Sequence, residues 1–492
     1  MAKIINTSTG DWALVILRVS QTTAKMWVGT LFATLKKPDH ALVEIIGPDG
    51  TTSSKKITRA DWLRPFRDHR QRFYTTLEFD RLTPGTHYRV KFSRRIEKIK
   101  GVPRPQQWQE LKDGQFDTLP TRLPTISQKP FTVGIGSCFY SHRDGGQAAG
   151  SYRALYDRGG KATRPDITFL TGDQVYLDIG FDSLSLLKHE IRERIANDYA
   201  SHWQLLGSIL TRGGTWMLPD DHEYWNDYPF HDSLIPTLLA LKLEYVRKTW
   251  TRASIDGVSR VQQSPLVETF SIGSDLSFCL ADLRSMRKKQ GFLPTIEFEK
   301  LTRWASELQC PGVLAIPQPL IVDKNKTERN LLSFKKQYVE LLQALGASGH
   351  DIVVLTGDVH FGRISSADLG PNGGRLIEII SSPLSNLTGL NGVATAEPKF
   401  TPTIFPDPKE VTVPDWTPVK VNHDKSFAVS TKKGFPDSTY PKARTREHFM
   451  TIGIQRERAG RILLTVNAWR VRERDKNNLP VRDFQPFSAF LK

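Results

Sequence analysis

Three times along this sequence, an aliphatic run ends at a turn that immediately presents an acidic side chain. DITFLTGD (166–173) and DIVVLTGDVH (351–360) pass through Thr-Gly into an aspartate, and TWML (215–218) leads into PDDHE (219–223). Taken alone, an acidic cluster such as DDHE is typical of a solvated loop. Apolar runs of this length are typical of buried strands in a parallel sheet. The repeated pattern therefore predicts an α/β protein in which charged groups gather where its strands end.

The overall composition limits the class of protein and the sign of its partners. The chain has 492 residues, of which 39% are hydrophobic and 24% charged, which indicates an ordinary globular protein with two or three domains. A formal charge of +16 favours anionic partners such as phosphorylated substrates, nucleic acid or anionic lipid. The basic residues are spread along the chain, and this favours a solvated surface over a nucleic-acid groove.

The cysteines and the apolar segments indicate the cellular setting. Cys138, Cys279 and Cys310 are odd in number and widely spaced, so a disulfide framework is not expected and a reducing compartment is allowed. The first twenty residues show no export signal, and no segment approaches the ~18 uninterrupted apolar residues of a membrane span. We therefore expect a cytoplasmic protein without a transmembrane helix.

The first 120 residues or so have the pattern of an all-β domain. Short β-rich runs separated by turn residues occur at 12–19, 24–31, 41–47, 72–79 and 87–93. A Pro-Gly turn followed by Tyr88 at the start of a strand resembles the tyrosine corner of immunoglobulin-like and fibronectin type III sandwiches. Prolines at 120, 124 and 130 indicate a linker. We predict a β-sandwich over residues 1–125 and a catalytic domain over residues 126–492.

Beyond residue 130, strands and helices alternate. Strands are predicted at 131–136, 166–170, 214–218, 276–283, 351–355 and 375–381, and helices at 183–210, 236–250 and 330–346. Two further strands, at 448–457 and 461–471, form a hairpin-like pair that returns to a sheet of the same domain. Residues 384–446 are rich in Pro, Asp, Lys and Thr and are predicted to be an irregular insertion or rim.

Four of the predicted strands end in residues that are able to bind a metal ion. Their motifs are GSC (136–138), GDQVY (172–176), DDHE (220–223) and GDVH (357–360). A glycine before the ligand lets the chain turn sharply and brings the backbone close to an ion. Since ligands of an α/β sheet bind where strands end, four such motifs predict a metal centre.

In this order, and behind an N-terminal β-sandwich, the four motifs resemble those of the PhoD-like branch of the calcineurin-type metallophosphatases, which is related to the purple acid phosphatases. The resemblance covers most of the chain and extends to ADLRSMR (281–287) and SSPLSN (381–386). It implies a four-layer αββα sandwich with a binuclear or trinuclear metal centre above the sheet edges. It also implies hydrolysis of phosphoric esters, as in alkaline phosphatase D.

The residue types of the first metal position favour iron. Cys138 and Tyr176 would bind a metal ion as thiolate and phenolate, and a phenolate, with an ordinary pKa of ~10, calls for a strong Lewis acid. Ferric iron fits this requirement better than magnesium. His360 supplies an imidazole to the same position, and Asp173 can bridge to a second ion.

The second metal position is expected to be built from oxygen ligands. It would draw on Asp221 and Asp358, with Asn226 as an additional ligand. Such a set suits calcium, magnesium or manganese. Asp221 stands where the purple acid phosphatases have asparagine, which makes this position more anionic. We therefore expect Fe³⁺ with Ca²⁺, with Mg²⁺, Mn²⁺ or Zn²⁺ as alternatives.

Roles can be assigned to the remaining site residues, that of His222 by analogy with the corresponding histidine of the family. A metal-activated hydroxide would attack phosphorus, His222 would donate a proton to the leaving group, and Glu223 would orient the His222 imidazole. The candidates for substrate phosphate contacts are Arg284, Arg143 and His142.

The expected substrate is a phosphorylated small molecule or polymer, as a monoester or a diester, and nucleic acid would be one such diester. The alternative is a basic protein that binds nucleic acid or another polyanion and carries a vestigial metallophosphatase site.

Overall fold

The N-terminal part of the chain consists of two antiparallel sheets packed face to face. The computed structural model describes residues 10–96, 107–144, 146–160, 162–232, 236–324, 329–386, 402–428, 447–457 and 460–492. The first strands are β1 (Ala13–Val19), β2 (Ala24–Thr30), β3 (His40–Ile46), β4 (Thr52–Thr58), β5 (Phe73–Phe79), β6 (His87–Arg95) and β7 (Trp108–Asp117). One sheet has the order β1-β2-β5 and the other β4-β3-β6-β7. The ring of Trp12 lies 5.7 Å from that of Phe92 in the facing sheet, so the two sheets share a core.

Two details of this sandwich test the sequence prediction. The hydroxyl of Tyr88 accepts a hydrogen bond from the backbone N–H of Thr83 at 2.9 Å, which confirms the predicted tyrosine corner. Strands β4 and β7 were not predicted. Ile57 is the one buried residue of β4, and β7 alternates polar and buried residues, so neither strand contains the apolar run on which the prediction relied.

The rest of the chain alternates between strands and helices. The strands are β8 (Phe131–Gly136), β9 (Ile167–Thr171), β10 (Gly214–Leu218), β11 (Val267–Ile272), β12 (Leu276–Ala281), β13 (Gly312–Ala315), β14 (Ile352–Thr356), β15 (Phe361–Leu369), β16 (Gly374–Ile380), β17 (Ile404–Phe405), β18 (Val419–Lys420), β19 (Asn422–Ala428), β20 (His448–Arg456), β21 (Ile462–Arg474), β22 (Pro480–Arg482) and β23 (Phe487–Leu491). The α-helices are α1 (Ser141–Asp144), α2 (Gln147–Arg158), α3 (Lys188–Leu210), α4 (Glu244–Asp256), α5 (Thr295–Ser306) and α6 (Lys335–Ala347).

Two seven-stranded sheets form the centre of this part of the molecule. The first has the order β10-β9-β8-β20-β21-β22 with β23 also paired to β21, and the second has the order β11-β12-β13-β14-β16-β15-β19. Phe131 and Phe169 of the first sheet contact Phe278 of the second at ring distances of 6.4 and 6.1 Å. Helices α2, α3 and α4 cover the outer face of the first sheet, and α5 and α6 cover that of the second. The four layers are those of the predicted αββα sandwich.

The C-terminal strands complete the first sheet as predicted. β20 pairs with β8 and with β21, in both cases antiparallel. In contrast, the prediction of an irregular segment over 384–446 missed three strands among its described residues. β17, β18 and β19 lie there, and β19 extends the second sheet beside β15. Because β19 is a polar edge strand, it lacks an apolar run; residues 387–401 and 429–446 lie outside the described residues.

The predicted helices differ mainly at their ends. The segment predicted at 236–250 is a 3₁₀ turn, Pro236–Lys242, followed by α4, and another 3₁₀ turn, Phe181–Leu184, precedes α3. Among the described residues, no helix is both long enough and apolar enough to cross a membrane. The proposed domain boundary near residue 125 stays a prediction.

Candidate metal centre

The carboxyl ends of strands from both sheets converge at one edge of the αββα sandwich. β8, β9 and β10 are parallel to one another, and so are β12, β13, β14 and β16. The residues that follow these strands are Cys138 after β8, Asp173 after β9, Asp221 after β10, and Asp358 and His360 after β14. The two sheets are joined here, because the N–H of Leu384, beyond β16, donates to the carbonyl of Ser137, beyond β8, at 2.8 Å.

Four of the candidate ligands have a left-handed backbone conformation. They are Cys138 (φ 56°), Asp173 (φ 55°), Asp358 (φ 69°) and His360 (φ 55°). This region disfavours a residue with a side chain by roughly 1–2 kcal/mol, and such strain is found preferentially at functional sites. Gly172, directly before Asp173, has a φ of 106°, and a Cβ there would lie 2.7 Å from the Cβ of Asp220. The tight turn into Asp173 therefore requires glycine.

The first group of candidate ligands combines a thiol, a carboxylate, an imidazole and a phenol. One ligand atom from each of Cys138, Asp173 and His360 lies within 4.8 Å of the others. Sγ of Cys138 lies 3.4 Å from Oδ2 of Asp173, and the hydroxyl of Tyr176 lies 3.2 Å from Nε2 of His360. The structure thus brings together the four residues predicted for the first metal position.

The protonation equilibria of this first group fit a bound cation. Burial raises the pKa of the Cys138 thiol to about 12, and it raises the pKa values of Asp173 and Tyr176 well above their ordinary values, with a further contribution from the Cys138 charge. Burial lowers the pKa of His360 to about 4 and keeps its imidazole neutral. A cation would stabilise the anionic forms of the three acids, and neutral imidazole is the form that binds metals.

The SSPLSN segment holds His360 in a defined orientation. Nδ1 of His360 lies 2.8 Å from Oδ1 of Asn386, so a proton on Nδ1 directs Nε2 toward Tyr176. The backbone N–H of His360 donates to the hydroxyl of Ser382 at 3.0 Å, and that hydroxyl lies 3.2 Å from Sγ of Cys138. Asn386 and Ser382 therefore support the first position, a role that was not predicted for them.

The second group of candidate ligands consists of carboxylates. One oxygen from each of Asp173, Asp220, Asp221 and Asp358 lies within 4.8 Å of the others. Oδ2 of Asp221 accepts the backbone N–H of Asp227 at 2.7 Å. Oδ1 of Asp221 and Oδ2 of Asp220 are buried, and no described residue donates a hydrogen bond to either. Since buried carboxylate oxygens need a donor or a cation, this group also fits a metal ion.

Arg284 lies beside these carboxylates in a buried ion pair. Its Nε donates to Oδ1 of Asp220 at 2.5 Å, its Nη1 donates to the carbonyl of Tyr228 at 3.0 Å, and its side chain is 1% exposed. This ion pair engages the Arg284 guanidinium, and a contact of Arg284 with the substrate phosphate stays a prediction. It also gives Asp220, which had no predicted role, a defined partner.

A carboxylate from the neighbouring loop positions His222. Nδ1 of His222 lies 2.7 Å from Oδ1 of Asp178, and Oδ2 of Asp178 accepts the backbone N–H of Asn226 at 2.8 Å. Burial alone would lower the pKa of His222, but the carboxylates of Asp178, Asp221 and Asp173 raise it well above its ordinary value. The Asp178 carboxylate at Nδ1 therefore favours the charged form of the imidazole.

The prediction that Glu223 orients His222 is wrong. The Glu223 carboxylate accepts the backbone N–H groups of Asp173 at 3.0 Å, Gln174 at 2.7 Å and Asp220 at 2.9 Å. The physical reason is a short 3₁₀ turn, Asp221–Glu223, in which Glu223 takes the third position and reaches back to the residue before the turn. Glu223 thus joins the loops after β9 and β10.

The remaining predicted site residues have less defined surroundings. Asn226 lies in the loop after β10, where its backbone contacts Asp178; a ligand role for its side chain stays a prediction. His142 and Arg143 belong to α1, and their side chains lie outside the described residues. Asp178 was missed, although an acid five residues after Asp173 in the same loop could have indicated it.

Comparisons with known proteins bear on the fold. No family model and no curated protein matches the sequence. A solved structure of PhoD matches over 97% of this chain and 92% of that chain, with 13% identity and a TM-score of 0.61. The purple acid phosphatase PPD1 from seeds of yellow lupin (Lupinus luteus) matches over 97% of this chain and 74% of that chain, with 12% identity and a TM-score of 0.49. The protein thus has the fold of PhoD, which confirms the architecture expected from its sequence motifs.

Proposed function

We propose that this protein is a metal-dependent hydrolase of phosphoric esters and a member of the PhoD-like metallophosphatases. The observation that carries the proposal is the convergence of two candidate ligand groups that share Asp173 at one edge of the sandwich. Their different donor types, thiol and imidazole in one and carboxylates in the other, favour two different cations. The fold shared with PhoD supports this assignment.

The ligands divide between two adjacent positions. We assign Cys138, Tyr176 and His360 to the first cation, Asp221, Asp358 and Asn226 to the second, and Asp173 to both. Fe³⁺ at the first and Ca²⁺ at the second fit these donors, with Mg²⁺, Mn²⁺ or Zn²⁺ as alternatives. When bound, such cations neutralise the phosphoryl oxygens and lower the pKa of water enough for attack near neutral pH.

His222 is the proposed general acid of the reaction. Asp178 holds Nδ1 at 2.7 Å and stabilises the imidazolium, so Nε2 can give its proton to the leaving oxygen of the substrate. Both side chains are largely buried, 2% exposed for Asp178 and 10% for His222, which limits competition from water. Glu223 acts at a distance from the reaction by fixing the backbone on either side of the two positions.

Hydrolysis of small aryl phosphates tests the proposed function. The purified protein, supplied with iron and calcium, is expected to hydrolyse an aryl phosphomonoester, an aryl phosphodiester or both. Asp182→Asn is a matched control for ligand variants, because Asp182 is an exposed aspartate just beyond the same loop. A protein that binds both metals and hydrolyses neither ester would contradict the proposal.

The visible absorption spectrum tests the assignment of the first cation. Ferric iron bound by a phenolate or a thiolate gives a charge-transfer band, so the iron-loaded protein is expected to be coloured. Tyr176→Phe should shift or remove the band while the iron content is measured separately. A colourless wild-type protein that contains stoichiometric iron would contradict the assignment of Tyr176 and Cys138.

A further inference from the structure

We propose that Gln318 and Arg287 are positioning residues that fix the carboxylate of Asp358 for the second cation. The inference rests on the proposed function only in taking Asp358 as a ligand. Gln318 follows β13, and Arg287 lies beyond the end of β12, so both come from strands that end at the same edge as β14. The sequence assigned no role to either residue, although Arg287 ends the ADLRSMR segment.

The hydrogen bonds around Gln318 determine the orientation of its amide. Nη2 of Arg287 donates to Oε1 of Gln318 at 2.6 Å. Because a guanidinium can only donate, the amide oxygen must face Arg287 and the amide nitrogen must face away from it. That nitrogen lies 3.1 Å from Oδ2 of Asp358 and donates to it. Arg287 therefore selects the orientation in which the Gln318 amide nitrogen holds Oδ2 of Asp358, whose carboxylate belongs to the second group of candidate ligands.

The loop that carries Gln318 is itself attached to the end of β14. The carbonyl of Pro317 accepts the backbone N–H of Gly357 at 3.2 Å and the hydroxyl of Thr356 at 3.1 Å. The Gln318 side chain is 4% exposed. Its distance from Asp358 is thus set by backbone contacts as well as by its own hydrogen bond.

Arg287 is an unusual residue for a purely structural role. Its side chain is 2% exposed, and none of the ion pairs among the described residues involves it. Its other contacts are neutral: Nε donates to the carbonyl of Leu283 at 3.0 Å, Nη1 donates to the carbonyl of Arg329 at 3.1 Å, and its guanidinium lies 5.1 Å from the centre of the Phe334 ring. A buried guanidinium without a contacting carboxylate is costly unless a nearby anionic group offsets its charge. Burial and the neighbouring Arg284 guanidinium lower the pKa of Arg287 to about 9, and the carboxylates of Asp220, Asp221 and Asp227 counter this only in part.

Titration with Mn²⁺ alone tests the inference without depending on catalysis. We expect Gln318→Ala to weaken Mn²⁺ binding at the second position about 10- to 100-fold, the usual effect of removing a residue that orients a metal ligand. The iron absorption band should not change. Arg287→Lys keeps the charge but loses the planar guanidinium geometry, so it should also weaken Mn²⁺ binding. Calorimetry and the electron paramagnetic resonance signal of Mn²⁺ provide the readouts.

Two further variants make the test decisive. Gln337 is a matched control, because its amide oxygen accepts the N–H groups of Phe292 and Leu293 at 2.7 and 3.1 Å in the same half of the molecule. Gln337→Ala should leave Mn²⁺ affinity unchanged. Gln318→Met preserves side-chain volume if the alanine variant does not fold, and it should show the same loss of affinity.

The outcomes separate the inference from the proposed function. Unchanged Mn²⁺ affinity in folded Gln318→Ala or Gln318→Met would overturn the inference and leave the proposed hydrolase intact. If the Gln318 variants bind Mn²⁺ more weakly while the wild-type protein hydrolyses no phosphoric ester, the inference is supported and the proposed function is contradicted. A wild-type protein that binds no Mn²⁺ would overturn the inference.

Discussion

His222 and His360 differ in the partner of Nδ1, and this difference fits the roles proposed for them, a proton donor and a metal ligand. Both imidazoles are buried at the same edge of the sandwich, and both have a hydrogen-bond partner at Nδ1. The partner of His222 is the carboxylate of Asp178, whereas that of His360 is the neutral amide of Asn386. The pKa of His222 is raised and that of His360 is lowered. Burial alone therefore does not determine the function of a histidine; the charge of its neighbour does.

Asp173→Asn should have the largest effect, because it removes the carboxylate that the two positions share. We expect the loss of at least one cation and a decrease in kcat/KM of roughly 10⁴-fold or more, since the groups of a metal centre act as a unit. Metal analysis and steady-state kinetics provide the measurement. Near wild-type activity of Asp173→Asn would mean that the two positions, including the proposed roles of His222 and His360, do not need a shared carboxylate. Asp182→Asn should behave as the wild type.

His222→Asn should decrease kcat while leaving the metal content intact. Loss of a general acid lowers the rate by about 10²- to 10⁴-fold. The loss should be smaller for an ester with an acidic phenol as leaving group, because such a group departs without protonation. His189→Asn, at an exposed histidine of α3, is the control. If His222→Asn instead contained less metal but had the wild-type kcat per bound metal ion, His222 would be a metal ligand, as proposed for His360, and not a general acid.

Asp178→Asn gives His222 an amide neighbour like that of His360. We expect kcat to fall by about 10-fold, part of the general-acid contribution, with KM little changed. Because the proton donor must be protonated, activity is lost as pH rises through its pKa. Removing the carboxylate lowers that pKa, so the alkaline limb of the pH profile should move to lower pH. An unmoved limb would mean that Asp178 has only a structural role.

His202→Gln should have the smallest effect and extends the comparison to a buried histidine outside the site. Nδ1 of His202 lies 2.7 Å from the carbonyl of Asp198, and burial lowers the pKa of its imidazole to about 4. In the unfolded chain the pKa of this histidine is ~6.5, so below that pH the unfolded chain binds a proton that the folded protein does not. The free energy of unfolding therefore falls as the pH decreases from about 6.5 toward 4.

Between about pH 7.5 and about pH 5.5, this histidine should lower the free energy of unfolding by about 1 kcal/mol. In His202→Gln, the free energy of unfolding should therefore decrease by that much less over the same pH range. Urea unfolding of both proteins at the two pH values measures the difference. An identical decrease in the two proteins would show that His202 does not contribute.

The sequence was sufficient for features that follow from a single strand and its loop. Asp173, Asp221, Asp358 and His360 were predicted because each stands within four residues of the end of an apolar strand, and parallel strands bring such ends together. The αββα layers and the tyrosine corner at Tyr88 were predicted on similar local patterns and on the family resemblance.

The errors arose where a side chain depends on a second loop. Asp178 and Gln318 contact residues 44 and 40 positions away along the chain, and sheet register and loop shape determine such contacts. Glu223 was assigned to its neighbour His222 because the two are adjacent in sequence. The turn directs the Glu223 carboxylate toward backbone N–H groups, and the Asp-x-x-Glu spacing of residues 220–223 was the signal that could have indicated it.

The left-handed backbone at Cys138 restricts what kind of residue the fold itself would select there. Aspartate, asparagine and histidine are enriched at such angles, but cysteine is not among these residues. Glycine would adopt the same angle without steric cost. The Cys138 sulfur instead lies 3.4 Å from Oδ2 of Asp173 and 3.2 Å from the hydroxyl of Ser382. The strained backbone angle thus places a sulfur beside a second candidate ligand, as the proposed first cation would require.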